Sequence, residues 1–307
     1  MSPTISLVIP AYNVERTILE TIESVQQQTF SAFEIIVIND GSTDRTLELL
    51  ESVNDERLKV FSYENGGLPV ARNRGISHAT GEFIAFLDAD DLWTPDKLEL
   101  QLAALQQHPE AGVAYSWTCD FIDGQKEIHH RYEPVRFEGN ILPELLIRNF
   151  LNSGSNPLIR REAIQSVGEF DPTLRSCEDW DFYLRLAAKW KFVVVPKWQI
   201  WYRLSPTSMS TKVEIMEMAA LTVIERAYRV APPELQFLRS KTLADLYQYC
   251  ATQYLRNGTS VSEINRAVPN IWKAICLYPR TLFGSYTPGL IRWFIKRWVL
   301  VQLSRNS

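Results

Sequence analysis

Short apolar runs alternate with segments of helical periodicity through the N-terminal third of the chain. Four runs are predicted to be strands, at residues 5–9, 34–38, 58–63 and 83–87. Apolar residues at helical spacing predict the helices that follow them, at residues 14–28, 46–53, 68–79 and 95–105. The run from Phe83 to Leu87 is apolar at every position, as a strand covered on both faces would be. This alternation predicts an α/β fold with a mostly parallel sheet flanked by helices.

The pattern becomes helical throughout after about residue 212. Apolar stripes over 213–228 and 235–255 predict a helical C-terminal appendage. The tail at residues 282–303 mixes tryptophan, phenylalanine and aliphatic residues with three cations, Arg292, Lys296 and Arg297. Such a segment either lies in a membrane interface or packs as a helix on the rest of the chain or on a second subunit. The sequence leaves these alternatives open, together with the oligomeric state.

Composition narrows the classes of function. The chain has 307 residues, 46% hydrophobic and 22% charged, which suits one large globular domain or one domain with an appendage. A net charge of -4 and a pI near 5.7 argue against nucleic acid as a partner. The cysteines form no CxxC pair, so neither a zinc site nor a disulfide framework is predicted. Because we find no signal-peptide pattern and no apolar run of about eighteen residues, we expect a cytoplasmic protein.

Three carboxylates follow the buried run at 83–87 within four residues: Asp88, Asp90 and Asp91. Like charges held this close repel each other unless a cation lies among them, and hard oxygen ligands suit Mg²⁺ or Mn²⁺. The alternative is that the acids cap the next helix, which fits Asp91 because the following residues have a helical pattern. We therefore expect a metal site that includes Asp88 and Asp90.

Polar residues also follow the runs that end at Ile9 and Ile38. In a parallel sheet these loops and the acid loop lie at one edge, where ligands of such sheets bind. Asp40 is able to accept a hydrogen bond from a ring N–H or a ribose hydroxyl, Tyr12 offers an aromatic surface, and Arg72 suits a phosphate. No GxGxxG follows the first strand and no GxxxxGK[ST] occurs, which disfavours a dinucleotide-binding fold and a P-loop enzyme.

Four motifs in order resemble the inverting family 2 glycosyltransferases, which have the GT-A fold. They are Val8-Ile9-Pro10-Ala11-Tyr12-Asn13, Ile38-Asn39-Asp40-Gly41-Ser42-Thr43-Asp44, residues 67–76 and Asp88-Ala89-Asp90-Asp91. The resemblance covers roughly residues 4–210. It implies that a sugar is transferred from a nucleotide-diphosphate donor to an acceptor hydroxyl with inversion at the anomeric carbon.

The resemblance also implies roles for residues of the nucleotide-sugar site. Pro10, Ala11 and Tyr12 match the loop beside the base, and Asp40 matches the acid that binds the uracil or the nearby ribose. Asn39 departs from the aspartate that is commoner at its position. Asp88 and Asp90 match the DXD motif, in which Asp90 would ligate Mn²⁺ or Mg²⁺ and Asp88 would face the ribose or a metal-bound water. The cation would neutralise the departing diphosphate.

The second half matches the family's acceptor side. Glu178-Asp179 resembles the ED motif, whose aspartate is the base that deprotonates the acceptor hydroxyl. The alternative is that Glu178, Asp179 and Asp181 only favour the first turn of a helix. Trp201-Tyr202-Arg203, with Ser208 and Ser210 after it, resembles the loop that folds over the diphosphate, so that Arg72 and Arg203 are expected near the phosphates. No histidine follows Arg203, where many relatives have a further metal ligand.

The sequence therefore predicts a metal-dependent, hexosyltransferase-type glycosyltransferase that uses a nucleotide-diphosphate sugar, with UDP favoured by resemblance. A saccharide, a lipid-linked or a protein-glycan acceptor is implied, in synthesis of cell-surface polysaccharide or glycoconjugate. We expect a catalytic domain at 1–212, with a sugar-donor half at 1–110 and an acceptor half at 111–212, and a helical region at 213–307. One alternative is a non-catalytic nucleotide-sugar binding module. Another is a nucleotidyltransferase, which the lack of a glycine- and lysine-rich loop disfavours.

Overall fold

The computed structural model describes residues 3–124, 127–205 and 212–305, with side chains described up to residue 302. The chain divides into two compact units. The first comprises residues 1–142 and 150–205, and the second comprises residues 143–149 and 206–307. The first unit contains the β-sheet, whereas the second is helical.

Nine strands within the described residues form one sheet. In chain order they are β1 (Ile5–Ala11), β2 (Phe33–Asp40), β3 (Leu58–Tyr63), β4 (Phe83–Phe86), β5 (Leu92–Trp93), β6 (Ala111–Ile122), β7 (Ile128–Arg131), β8 (Leu158–Arg160) and β9 (Lys191–Leu204). Their order across the sheet is β3-β2-β1-β4-β8-β6-β9-β5, and β7 pairs with β6. Strands β3, β2, β1 and β4 are parallel neighbours, as are β6 and β9, whereas β5, β7 and β8 pair antiparallel. The predicted α/β fold is confirmed, because most paired residues belong to parallel ladders.

Helices cover the sheet and form the second unit. Those up to residue 187 are α1 (Ile18–Gln26), α2 (Thr46–Glu51), α3 (Leu68–His78), α4 (Lys97–Gln107), α5 (Leu142–Ile147), α6 (Arg161–Val167) and α7 (Glu178–Ala187). The later ones are α8 (Val213–Val230), α9 (Arg239–Asn257), α10 (Val261–Asn265), α11 (Ala267–Leu277) and α12 (Tyr286–Arg305), with 3-10 turns at Pro233–Leu238 and Pro279–Phe283. No helix in the described part of the chain is both long enough and apolar enough to cross a membrane.

The central strands are buried on both faces, which explains their unbroken apolar sequence. All seven residues of β1 and all four of β4 are buried. Helix α3 packs very close to β1, since a Cβ built on Gly75 would lie 2.1 Å from Val8 Cγ1. A larger residue at position 75 would therefore push α3 away from the sheet.

Candidate active site

The loops after β1, β2 and β4 lie at the same edge of the sheet, as the sequence predicts. Pairing in parallel register aligns Ala11 with Asn39 and Val8 with Phe86. The first two loops are joined directly, because the Asn13 amide donates to Ser42 Oγ at 3.0 Å and the Thr43 amide donates to Asn13 Oδ1 at 2.8 Å. Asn13 takes a left-handed conformation with φ of 51° to make this connection. The loop therefore leaves β1 as an ordered turn, and α1 begins at residue 18 rather than 14.

The residues expected beside the base differ in exposure. Tyr12 is 51% exposed and presents its ring at the edge of the sheet. Pro10 and Ala11 are buried members of β1. Of this group, Tyr12 is therefore the side chain available for stacking against a ligand.

Asp40 ends β2 and holds the turn before α3. Its buried carboxylate accepts hydrogen bonds from the amide of Gly66 at 3.0 and 3.1 Å, from the amide of Gly67 at 2.8 Å, and from Arg74 Nη1 at 2.7 Å. Gly67 has φ of 87°, a conformation that favours glycine. The observed contacts of Asp40 thus organise the start of α3, and its contact with a nucleoside stays a prediction.

The three acids after β4 have different environments. Asp91 is completely buried, and its carboxylate accepts hydrogen bonds from Ser155 Oγ at 2.6 Å, Ser153 Oγ at 3.1 Å and the Arg203 amide at 3.0 Å. The prediction that Asp91 caps the next helix is wrong, because α4 begins after Asp96. Burial raises the pKa of Asp91 well above its usual value, and the charges of the neighbouring acids add to the shift.

Asp88 and Asp90 are the partly exposed acids of the loop, and their charges interact. The Asp88 amide donates to Ser155 Oγ at 3.0 Å, and its Oδ1 accepts from Arg72 Nη2 at 2.7 Å. Burial, and after it the charge of Asp88, raise the pKa of Asp90 to about 6, although the charge of Arg203 lowers it. A cation placed beside the two carboxylates would relieve this repulsion.

The acid pair fits a hard divalent cation that keeps few protein ligands. Within residues 3–124, 127–205 and 212–305 no group of three or more acidic, histidine or cysteine side chains has the arrangement of a metal cage. Mg²⁺ and similar ions are commonly held by one or two carboxylates, with waters and substrate phosphates in the other positions. Asp88 and Asp90 supply such a pair.

Arg72 joins the acid loop to the start of α7. Its guanidinium is 1% exposed, and donates from Nη2 to Asp88 and from Nη1 to Glu178 Oε1, each at 2.7 Å. The ring of Phe170 lies 5.3 Å from its Cζ, and a Cβ built on Gly154 would lie only 2.2 Å from its Nη2. This arrangement differs from the expected diphosphate contact, because both terminal nitrogens are already paired with carboxylates.

The two residues of the ED motif begin α7 in different environments. Cys177 precedes them with φ of 58°, an uncommon conformation for a non-glycine residue. Glu178 is buried, and this burial together with the charge of Asp179 raises its pKa to about 7, against the lowering effect of Arg72. Asp179 is half-buried, and its Oδ1 accepts a hydrogen bond from the Trp180 amide at 2.7 Å. Asp181 pairs instead with Arg185 at 2.9 Å, a contact within the helix.

Arg203 is engaged by protein groups at every guanidinium nitrogen. Nε donates to the Asp90 carbonyl at 2.6 Å, Nη1 to Asp123 Oδ1 at 2.8 Å, and Nη2 to Glu20 Oε2 at 2.6 Å. The guanidinium of Arg203 is therefore not free for the expected phosphate contact. Instead it connects the acid loop to α1 and to the end of β6. Ser208 and Ser210, which the resemblance places in the loop over the diphosphate, lie outside the described residues.

The structure also brings in residues that sequence reasoning left without a role. Ser153, Gly154 and Ser155 pack against the acid loop and Arg72. The run of small residues was the only local signal for this close packing. Glu20 and Asp123 carried no signal, because their partner Arg203 is 183 and 80 positions away in the sequence.

Comparison with known proteins places the chain in a family. The protein is of the α/β class, with an acid-rich loop at the carboxyl ends of its central strands. Residues 6–253 match the family model described as "Glycosyltransferase like family 2". The chain belongs to that family. The putative teichuronic acid biosynthesis glycosyltransferase TuaG of Bacillus subtilis is 40% identical over 119 residues, which is 38% of this chain and 46% of TuaG. An uncharacterized glycosyltransferase of Rickettsia typhi is 32% identical over 190 residues, 60% of this chain and 58% of the relative.

Solved structures agree with the fold. Staphylococcus aureus TarS 1–349 in complex with UDP-GlcNAc has a TM-score of 0.57 at 21% identity, covering 93% of this chain and 92% of that one. The mannosyltransferase PcManGT of Pyrobaculum calidifontis, in complex with GDP-Man and Mn²⁺, has a TM-score of 0.60 at 19% identity. The match covers 97% of this chain and 87% of PcManGT. These neighbours confirm the GT-A type of fold. The chain spans only 20% to 58% of the length of two Rickettsia relatives.

Proposed function

We propose that the protein is a metal-dependent inverting glycosyltransferase that uses a nucleotide-diphosphate sugar. The observation that carries this proposal is the bridge through Arg72, which links Asp88 of the DXD motif to Glu178 of the ED motif. It holds the two acidic motifs, far apart in sequence, within one ion-pair network in a single unit. The DXD motif has the carboxylates to hold a cation next to a diphosphate, and the ED motif has a carboxylate that is able to act as a base. Sugar transfer needs both functions.

The nucleotide-sugar side of the proposal rests on Tyr12, Asp88 and Asp90. The exposed ring of Tyr12 would stack against the base, and Asp88 would face the ribose or a water held by the metal. Asp90, with Asp88 beside it, would hold Mn²⁺ or Mg²⁺, which when bound supplies positive charge next to the departing diphosphate. The known complexes of TarS with UDP-GlcNAc and of PcManGT with GDP-Man and Mn²⁺ support this class of ligand.

Asp179 is the proposed base. It is more exposed than Glu178, and the Trp180 amide fixes one of its oxygens. In a single displacement the acceptor oxygen would bond to the anomeric carbon as the bond to the diphosphate breaks, and the acceptor proton would pass to Asp179. Glu178, buried and paired with Arg72, would position the start of α7 instead of reacting.

The acceptor is proposed at the level of its chemistry. It is a hydroxyl of a saccharide, a lipid-linked oligosaccharide or a protein glycan. The name of TuaG, which refers to teichuronic acid biosynthesis, supports a role in cell-surface polysaccharide or glycoconjugate synthesis. The catalytic domain at 1–212 and the helical region at 213–307 remain our proposed division of these roles, and the cytoplasmic location stays a prediction.

The tail at residues 282–303 is the proposed contact with a membrane surface. Phe283 is 91% exposed, and Trp298 and Leu300 on α12 are also exposed, together with the cations Arg292 and Lys296. Exposed tryptophan next to cations suits the headgroup region of anionic lipid. Co-sedimentation with vesicles of phosphatidylcholine alone, or mixed with phosphatidylglycerol, tests this contact. The double variant Trp298→Ser/Lys296→Ser should bind the anionic vesicles more weakly than wild type, and equal binding would refute the membrane contact.

Thermal melting with nucleotides tests the proposed function before the acceptor is known. UDP, GDP, TDP and CMP are each added with and without Mn²⁺ to wild type and Asp90→Asn. One diphosphate should raise the melting temperature only with metal, and only in wild type, because ligand binding to the native state raises apparent stability. Failure of every nucleotide at about millimolar concentration would contradict the site. Release of nucleoside diphosphate on transfer would then exclude a binding module, and release of pyrophosphate would indicate a nucleotidyltransferase.

A further inference from the structure

A cavity of about 320 Å³ lies in the second unit, between α9, the 3-10 turn Pro279–Phe283 and the start of α12. Its size is within the range of sites that hold small ligands. The walls combine charged, amide and aromatic side chains, among them Lys241, Asp245, Gln248, Tyr278 and Tyr286. None of these residues belongs to the candidate active site, and all of them belong to the same unit.

The charges on the walls favour an uncharged ligand. Among the described residues, Asp245 makes no hydrogen bond or ion pair, although it is half-buried. Burial raises the pKa of its carboxyl group, while the charges of Arg148 and Lys241 lower it. An anionic ligand would meet the carboxylate and a cationic ligand would meet the ammonium of Lys241. A neutral ligand with several hydroxyl groups is able to donate to Asp245 and accept from Lys241 at the same time.

The aromatic walls favour a ligand with an apolar face as well. The ring of Tyr286 is 55% exposed, while its hydroxyl group is fixed by a hydrogen bond of 2.8 Å with Thr252 Oγ1. Tyr278 lines the same cavity, and Gln248 is held in place by donating to Thr287 Oγ1 at 2.6 Å. A pyranose ring has C–H groups that pack on an aromatic face and hydroxyl groups around its edge.

We propose that this cavity binds one neutral pyranose unit of a glycan chain. The inference goes beyond the proposed function, because it concerns residues of the other unit and requires no transfer reaction. A second saccharide site of this kind would retain a glycan on the protein independently of the nucleotide-sugar site.

Saccharide binding by the full chain tests the proposal. The probes are the methyl glycosides of glucose, galactose, mannose and N-acetylglucosamine, followed by saturation-transfer NMR and by titration calorimetry. At least one should bind, and Tyr286→Ala and Asp245→Asn should each weaken it by about tenfold or more. The matched control is Trp272→Ala, since Trp272 on α11 is 67% exposed and does not line the cavity. This variant should bind as wild type does, and melting curves check that all variants are folded.

Two outcomes would overturn the inference. One is that no glycoside binds folded wild type below about 50 mM, a weaker affinity than specific sites show. The other is that binding persists unchanged in both Tyr286→Ala and Asp245→Asn, which would place the sugar elsewhere. Nucleotide binding with Mn²⁺ is measured on the same samples. If wild type binds nucleotide but no glycoside, only the proposed saccharide site is disproved. If it binds a glycoside but no nucleotide, only the proposed function is disproved.

Discussion

A methyl group at position 154 should disturb the link between the two acidic motifs without removing a charge. A Cβ built on Gly154 lies 2.2 Å from Arg72 Nη2, 3.0 Å from its Cζ and 3.3 Å from Asp88 Oδ2. The first distance is far shorter than any tolerated contact, so either the guanidinium or the loop must move. Because Arg72 is 1% exposed, its guanidinium has no solvent-filled space to enter. Gly154→Ala should therefore break the bond from Nη2 to Asp88 and leave the bond from Nη1 to Glu178.

The magnitude follows from the nature of the broken bond. A hydrogen bond between charged groups, here between buried Arg72 and partly exposed Asp88, contributes about 2–3 kcal/mol, which corresponds to a melting temperature lower by about 4–12 °C. If the bridge positions the groups for the reaction, the same loss expressed in the transition state lowers kcat/KM by about 30- to 160-fold. Nucleotide affinity should also fall, since Asp88 loses its partner.

The matched control is Gly289→Ala in α12, where a new Cβ meets no atom within 4 Å. Alanine favours a helix over glycine by up to about 1 kcal/mol, so this variant should melt at or slightly above the wild-type temperature. Calorimetric melting, nucleotide titration and release of nucleoside diphosphate are measured on both variants. Wild-type stability and transfer in Gly154→Ala would refute the bridge as a structural and functional link.

Three further predictions address single groups. Asp179→Asn should bind UDP with Mn²⁺ as wild type does and lose transfer by about 10²- to 10⁴-fold; loss of nucleotide binding in the folded variant would contradict its role as base. Because the pKa of Asp90 is raised to about 6, metal-dependent nucleotide affinity should fall as the pH drops below that value, and an equal affinity at pH of about 5 and 7.5 would oppose this. Lys97 is buried, and its Nζ lies 3.7 Å from the centroid of the Trp93 ring. Among the described residues this Nζ has no hydrogen-bond partner, and burial lowers the pKa of Lys97 well below 10.5. The native state then binds fewer protons than the unfolded state, so stability should rise with pH up to about 10.5. Lys97→Met should be more stable by about 1–3 kcal/mol in urea titration, and a less stable variant would refute this.

Local patterns were sufficient for the N-terminal half of the sheet. Strand β3 begins and ends where its sequence pattern does, and β4, a fully apolar run, differs from its pattern by one residue. Strand β6 gave no such signal, although eleven of its twelve residues are buried. Its sequence contains Ser116, Thr118 and Asp120, polar residues whose burial depends on partners elsewhere in the chain. Burial of this kind is set by pairing across the sheet, which a single segment does not reveal.

The sequence located the charged groups of the candidate site but not their partners. The residues paired with Arg72 and Arg203 are up to 106 and 183 positions away, so no local motif distinguishes an arginine that is free for phosphate from one that holds a carboxylate. Both guanidinium groups were expected near the diphosphate. The structure instead uses both to fix the acid loop, Arg72 through the Asp88 side chain and Arg203 through the Asp90 carbonyl.

Neighbouring acids therefore separate into different roles through their hydrogen bonds. Asp91 has Ser153, Ser155 and the Arg203 amide around its carboxylate, so it ties the loop to the rest of the unit and offers little to a ligand. Asp90 is one residue earlier and has no such donors around its carboxylate among the described hydrogen bonds, and burial, followed by repulsion from Asp88, raises its pKa. A group held in an unfavourable ionic state gains most when a cation arrives. The buried hydrogen-bond donors thus bind Asp91, whereas the carboxylate of Asp90 stays available to a metal ion. The sequence Asp88-Ala89-Asp90-Asp91 does not show this difference by itself.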